Sequence, residues 1–498
     1  MNRLTSVAGG SGPRLRLARP DLVAAAILIF LTGCGGSAFD SGQPSASTPP
    51  AARTSTTVRT SSGAPGPIGV PRAVLPGIAG EPDVRIRLIE AASTATLTST
   101  VRSVWISGGG NRPAARMIGP VNAKLSASGW EFTDAAGLIA KFDRTATVET
   151  AAEEGIVGPA VGEAGRVAPA ASVRGTGAAS AAATPASVIL NGKRYAGAVR
   201  FVPRSEVSPR AFDVIETVDL EDYLKGVVAS EMFSKWPLAA YQSQAVAARS
   251  YAVHERDRAR RTGQGFDVEA NVKDQAYAGL NERSEIVQAV DSTRGVLLTW
   301  GGGVLRSYFH STCGGRASSA GDTWPTATTS AFNQAGPIQA QKREWACNGA
   351  TYYRWSTVRN RQELLQRFKA FGAERGTPLR GLTGIESIIA TSSNAAGRPS
   401  RYLVMQPGGQ TYTLTAEELR RACNQEVGTL PPISAANRVN SSDMEVALNG
   451  NTITITGRGY GHGVGLCQWC AKGFADKGET WQAILTRFYP GAKVERAY

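Results

Sequence analysis

In a chain of 498 residues, one stretch carries a sustained helical period, and it limits the folds open to the rest. From Pro237 to Arg261, Leu238, Tyr241, Ala245, Ala248, Tyr251 and Ala252 recur at three- and four-residue steps, which places them on one face of a long helix. Pro237 suits a first turn, and Ser234 stands where it can cap the helix. Around this helix the pattern is of short strands: VRIRLIE from Val84, ATLTSTV and SVWISG after it, then Trp130 to Phe132, Leu138 to Ala140, Val188 to Leu190, Tyr195 to Val202 and Asp213 to Val218. Further strands are expected at Val296 to Trp300, Val304 to Phe309, Ile385 to Ala390, Tyr402 to Met405 and Ile453 to Gly457. Shorter helices are expected near Arg361 to Phe371, Ala416 to Ala422 and Trp481 to Phe488. Helices and strands mix without regular alternation, and no repeat is visible, so the fold class is α+β. It is read as a β-rich N-terminal lobe, residues 81–186, joined to a core, residues 187–498, whose short strands and few helices form a groove.

The first eighty residues lie outside that core. Arg3, Arg14, Arg16 and Arg19 precede a ten-residue apolar run, Leu22 to Leu31, too short to span a bilayer and typical of a secretory leader. The run ends in Leu31-Thr32-Gly33-Cys34, which resembles the lipobox of bacterial lipoproteins. Residues 1–33 are therefore expected to be removed and Cys34 to be acylated, with at least two chains giving stable attachment to the outer face of the cytoplasmic membrane. Residues 34–80 are rich in Ser, Thr, Pro and Ala and poor in large apolar side chains, as expected for a disordered tether with a mean reach of about 40 Å. A second lapse into small residues, 149–186, reads as an Ala/Gly-rich insertion.

Three segments carry the candidate chemistry. The first runs from Leu220-Glu221-Asp222-Tyr223-Leu224-Lys225-Gly226-Val227-Val228-Ala229-Ser230-Glu231 through Trp236-Pro237 to Gln244-Ala245-Val246-Ala247-Ala248-Arg249-Ser250-Tyr251. The second comprises Asp274-Gln275-Ala276-Tyr277-Ala278-Gly279 and Tyr308-Phe309-His310-Ser311-Thr312-Cys313-Gly314-Gly315. The third is Gly457-Arg458-Gly459-Tyr460-Gly461-His462-Gly463-Val464-Gly465-Leu466-Cys467-Gln468-Trp469-Cys470, followed by Tyr489-Pro490-Gly491. Glu231 follows an apolar run that reads as a strand and precedes the long helix. Shielded by Val227, Val228, Phe233 and Trp236, its carboxyl can be desolvated enough to hold a proton for a glycosidic oxygen. The blander reading is that Glu231 caps the helix or pairs with Arg249. Asp274 is the nearest second carboxylate, and Asp-Gln-x-Tyr reads equally as a turn closed by the aspartate.

Together the three segments closely resemble the stage II sporulation protein D (SpoIID) or amidase-enhancer domain family, over about Val84 to the C-terminus. That resemblance implies peptidoglycan glycan strands as substrate. Members include lytic transglycosylases as well as proteins known as enhancers of cell-wall amidases, so it also implies Glu231 as catalytic acid and a cell-wall amidase as the alternative partner. One carboxylate suffices for a lytic transglycosylase, because the sugar's own C6 hydroxyl attacks in place of water.

Arg249, Gln275, Tyr277, His310, Ser311, Thr312, His462, Gln468 and Trp469 are the candidate substrate-binding residues. They offer the amides, hydroxyls and aromatic faces that recognise sugars. The Gly457 to Gly465 turn fits no phosphate-binding pattern, and nucleic acid is not expected as a partner. The formal charge of +14 suits acidic wall polymers and anionic lipid, and removing the leader leaves the chain basic. No cofactor is expected. The chain departs from its relatives at Cys467-x-x-Cys470, where they usually read Ser-Gln-Trp-Gly. Disulfides such as Cys313 with Cys347 and Cys467 with Cys470 are one reading of this departure. The metal-free reading is preferred here over zinc held by His310, Cys313, Cys467 and Cys470.

Overall fold

The computed structural model describes residues 70–71, 75, 78–101, 103–108, 115–152, 187–325 and 328–498. The leader, Cys34, most of the tether and residues 153–186 lie outside the described residues. The end of the expected tether does not behave as one. Leu75 and Ile78 are buried in the main core, and the Arg496 N–H donates to the Pro71 carbonyl at 2.8 Å. The boundary at residue 80 is therefore drawn too late, because two large apolar side chains were read together with their polar neighbours.

The N-terminal lobe is two sheets whose strands alternate between buried and exposed residues, as a half-buried sheet requires. In strand Val121–Ser126, Val121, Ala123 and Leu125 are buried while Asn122 and Lys124 face solvent. One sheet has six antiparallel strands, in the order 193–195, 188–190, 94–99, 121–126, 129–133 and 139–142. The other has seven, in the order 268–269, 83–92, 212–219, 198–203, 148–152, 103–107 and 115–118. Trp130 and Phe132 from the first sheet meet Phe201 and Phe212 from the second, with Trp130 and Phe212 centroids 5.1 Å apart. Both sheets take strands from beyond residue 186, so the lobe extends to Asp219 and crosses the expected boundary.

The helices are α1 (Leu220–Glu231), α2 (Leu238–Arg261), α3 (Ser284–Ser292), α4 (Ala320–Thr323), α5 (Arg361–Glu374), α6 (Ala416–Cys423), α7 (Gln468–Ala475) and α8 (Trp481–Phe488). The long helix is α2, buried along most of its length and packed against α1, α3, α7 and α8. Its alanines let four helices approach one axis. Ser234 does not cap it, since Pro237 occupies the N-cap position. The preceding turn is held instead by the Tyr241 hydroxyl, which donates to the Phe233 carbonyl at 2.7 Å and accepts from the Trp236 N–H at 3.0 Å.

The run before Glu231, expected as a strand, is α1. Strand 212–219 passes into it without a break, and Leu220, Tyr223, Leu224, Val227 and Val228 form its buried stripe. Between Trp355 and Gly457 the chain builds a second apolar core, with α5 and α6 against strands 387–393, 399–405 and 411–415, and closes it by antiparallel pairing of 355–360 with 452–457. It then returns to the main core, where Phe309–His310 pairs in parallel with Leu466–Cys467.

A carboxyl site at the end of the first helix

Glu231 is the last residue of α1, and no basic side chain occupies that helix's last turn. The carboxyl therefore sits at the negative end of the helix dipole. Its Oε1 accepts the Ala276 N–H at 2.8 Å, and its Oε2 accepts the Gln468 side-chain amide at 3.4 Å. Burial pushes the Glu231 carboxyl above its ordinary range, against the lowering pull of these two donors. It can therefore keep its proton where an exposed glutamate has lost it.

The donors are placed by packing. Gly226 on α1 faces the 274–279 loop so closely that an added Cβ would lie 2.4 Å from the Gly279 carbonyl oxygen and from the Tyr277 ring. Gln275 is fully buried, accepts the Tyr223 hydroxyl at 3.0 Å and donates to the Ala248 carbonyl at 3.2 Å. These bonds fix the loop so that the intervening Ala276 N–H meets Glu231. A backbone donor of this kind leaves no mark in sequence. Gln468 comes from the first turn of α7, beside Trp469. The Trp469 ring lies 5.2 Å from Trp236 and 6.1 Å from Phe233, and Phe233 is 44% exposed. Polar groups and an aromatic cluster thus meet around one carboxyl.

Several expected binding residues belong instead to the framework. Arg249 is wholly buried, with its Nε and Nη2 on the Glu221 carboxylate at 2.9 and 2.6 Å and its Nη1 on the Val296 carbonyl at 3.2 Å, so it is shut away from a substrate and pairs with Glu221, not Glu231. Gln275 and Tyr277 are buried under α1, and Thr312 is locked in a backbone bridge with Tyr460. Asp274 closes its turn by accepting the Glu269 N–H at 2.8 Å, and the Tyr251 hydroxyl donates to its other oxygen at 2.8 Å. Both carboxylate oxygens are therefore engaged.

His310 and His462 lie with ring centroids 5.5 Å apart. The His310 Nδ1 is 3.0 Å from the Val464 carbonyl, and the His462 Nδ1 accepts the Val464 N–H at 3.1 Å. Burial lowers both imidazoles, His462 to about 4, so at neutral pH the pair is uncharged. Ser311 is half-buried, and its carbonyl accepts the Trp469 N–H at 3.1 Å.

The less favoured zinc alternative, with His310 beside Cys313, Cys467 and Cys470, is not the cluster seen among the described residues. Cys347 takes the histidine's place beside Cys313, Cys467 and Cys470, and the four buried sulfurs lie within 4.8 Å of one another. All carry free thiols. Neighbouring thiol donors, Cys313 first, draw Cys347 down, while burial pushes Cys467 and Cys470 up. Cys347, read from the sequence only as a disulfide partner for Cys313, lies outside all three motifs.

These features define an α+β protein in which a shielded carboxyl at a helix end accepts two amide donors, one of them from the residue beside an aromatic cluster. Residues 208–300 match the family described as stage II sporulation protein, and residues 306–465 match a domain family of unknown function. An uncharacterised protein of Brachyspira hyodysenteriae (strain ATCC 49526 / WA1) is 30% identical over 310 residues, which is 61% of this chain and 73% of that protein. The stage II sporulation protein D of Bacillus subtilis (strain 168) is 28% identical over 300 residues, 57% of this chain and 76% of the relative. The amidase enhancer of the same organism is 26% identical over 337 residues, 61% of this chain and 44% of the relative. The chain belongs to the stage II sporulation protein D and amidase-enhancer family.

Proposed function

We propose that the protein is a peptidoglycan lytic transglycosylase in which Glu231 serves as both acid and base. The observation that carries this reading is the Glu231 carboxyl itself, raised by burial at the C-terminal end of α1 and oriented by Ala276 and Gln468. Glu231 gives its proton to the glycosidic oxygen as the C1–O bond of an N-acetylmuramic acid residue breaks. The C6 hydroxyl of that sugar then attacks C1, and its proton passes to the Glu231 carboxylate, which closes a 1,6-anhydro ring and restores the acid. No water is consumed and no second carboxylate is needed. Asp274 is tied into its turn by the Glu269 N–H and the Tyr251 hydroxyl, and the single-carboxylate scheme, unlike hydrolysis by a carboxyl pair, does not call on it. The aromatic cluster of Phe233, Trp236 and Trp469 offers faces for sugar rings, and the uncharged His310–His462 pair suits hydroxyls better than anions. The basic n-region, short apolar run and Cys34 support placement outside the cell, with acylated Cys34 holding the chain to the outer face of the cytoplasmic membrane. Among the described residues no helix is long and apolar enough to cross a membrane.

A second reading, a wall-binding enhancer of an amidase without cleavage of its own, is favoured by the amidase-enhancer relative. Mass spectrometry of glycan strands, with and without stem peptides, separates the two. Anhydro-ended fragments that vanish with Glu231→Gln are expected. Reducing ends would overturn the scheme in favour of hydrolysis, and intact strands that co-sediment with the protein would overturn it in favour of the enhancer.

A further inference from the structure

The four buried cysteines come from three separate parts of the chain. Cys313 follows the short strand Phe309–His310, Cys347 lies in the loop before the second core, and Cys467 and Cys470 open α7. Their sulfurs do not sort into two pairs. Cys313 Sγ is 3.4 Å from that of Cys347 and 3.7 Å from that of Cys470, and all four lie within 4.8 Å of one another. Tetrahedral zinc with Zn–S bonds of about 2.3 Å spaces its sulfurs about 3.8 Å apart, whereas a disulfide brings two of them to about 2.05 Å.

The surroundings also suit thiolates. The Cys313 and Cys470 N–H groups donate to Cys467 Sγ at 3.3 and 3.4 Å, the Gly315 N–H to Cys313 Sγ at 3.5 Å, and the Ala346 N–H to Cys470 Sγ at 3.5 Å. Such donors spread the charge of metal-bound sulfur. Cys467 is moreover the N-cap of α7, the end of a helix that favours an anion.

We propose that Cys313, Cys347, Cys467 and Cys470 form a structural zinc site that holds α7 against the Glu231 site. Each thiol gives up its proton on binding, so four protons leave for each Zn2+ taken up. With four protein ligands the coordination sphere is closed, and the metal takes no part in chemistry. Its position gives it a further consequence, which rests on the function proposed above. Cys467 and Cys470 flank Gln468, whose amide reaches Glu231, and Trp469, whose ring joins Trp236 and Phe233. The metal would fix both residues from either side, making the four cysteines positioning residues.

The test uses the whole chain, purified without chelator, with zinc measured by mass spectrometry and cysteines mapped by alkylation before and after denaturation. One zinc per chain is expected, with all four cysteines alkylated only once the metal has been stripped, and Cys347→Ser should hold zinc at least about tenfold more weakly. Peptides cross-linked through any two of the four, or four reduced cysteines without metal, would overturn the site. Neither readout depends on glycan cleavage, so this result stands apart from the fate of the proposed activity. For the positioning role, stripping zinc from protein that stays folded should move the alkaline limb of cleavage upward, as Gln468 loosens from Glu231. An unchanged limb would overturn that role and leave the zinc site standing.

Discussion

Replacing Arg249 by methionine tests whether this arginine serves the fold or the substrate. Its guanidinium makes two charge-assisted bonds to Glu221, at 2.9 and 2.6 Å, and donates to the carbonyls of Val296 and Val290 at 3.2 and 3.3 Å. Methionine fills much of the space but leaves Glu221 buried without a cation. Two donors remain on that carboxylate, the Tyr498 hydroxyl at 2.7 Å and the Gly295 N–H at 3.2 Å, so its desolvation is only partly met. Removing one partner of a buried pair costs about 3–5 kcal/mol. The surviving donors place this case near the lower end, about 3 kcal/mol. Urea unfolding followed by tryptophan fluorescence reads the loss, and Glu221→Gln added to Arg249→Met should recover part of it, because the orphaned charge is gone. The pH dependence should also change sign. In the parent, burial opposes ionisation but Arg249 holds Glu221 below its ordinary range, so this contribution is present above that range and lost as acid protonates the group. Without Arg249 only burial and the weaker donors act on Glu221, and the variant should gain stability relative to the parent as pH falls through the carboxylate range. A variant that unfolds at parental urea concentrations yet no longer co-sediments with glycan strands would refute the assignment.

Two further outcomes follow from buried carboxyls. In Gln468→Leu, Glu231 loses one of the donors that favour its charged form, so the alkaline limb of glycan cleavage should move up, by less than about one pH unit given the 3.4 Å contact; a downward shift would show that Gln468 does not act on the acid. Glu216 is buried and desolvated, and its carboxyl is raised from 4.5 to about 7. The folded chain therefore binds the extra proton between those values, and stability should fall by roughly 3 kcal/mol as pH rises from about 4.5 to 7. Glu216→Gln should flatten that slope in urea unfolding across the range, and a variant that keeps the parental slope would remove Glu216 as its source.

The sequence shows best those elements whose signal is local. Helix α2 and strand Val296–Trp300 are legible because period and β-branching act within a few residues. Helix α1 is not, since Val227-Val228 favours a strand reading and no turn residue separates the helix from strand 212–219. The motif singles out Glu231 but not its setting, because the end of a strand and the end of a helix impose different electrostatics. Arg249 misled for a related reason: a charge among alanines looks like the polar face of a helix, and only tertiary packing shows that its partner is Glu221, twenty-eight residues earlier. The cysteine cluster was half legible. Cys313 and Cys467-x-x-Cys470 stand out within the motifs, but Cys347 is brought to them by long-range pairing that no spacing rule encodes.

That pairing has a cost which the second core lowers. Cys313 and Cys467 are 154 residues apart in sequence and meet at 3.3 Å from N–H to sulfur. Closing a flexible loop of that length takes about 4–5 kcal/mol of chain entropy. The second core, however, folds around its own apolar cluster and pairs Trp355 with Gly457, so its two ends already lie side by side. The loop left to close is then only about fifty residues, which lowers the entropic cost by about 1 kcal/mol. Strand Phe309–His310 and strand Leu466–Cys467 lie at the neck of this loop, with Cys313 and Cys470 just beyond them and Cys347 on the incoming arm. A four-thiolate site at the neck would hold shut the junction that delivers Gln468 and Trp469 to Glu231. Stripping the metal should therefore disturb the site before it disturbs either core.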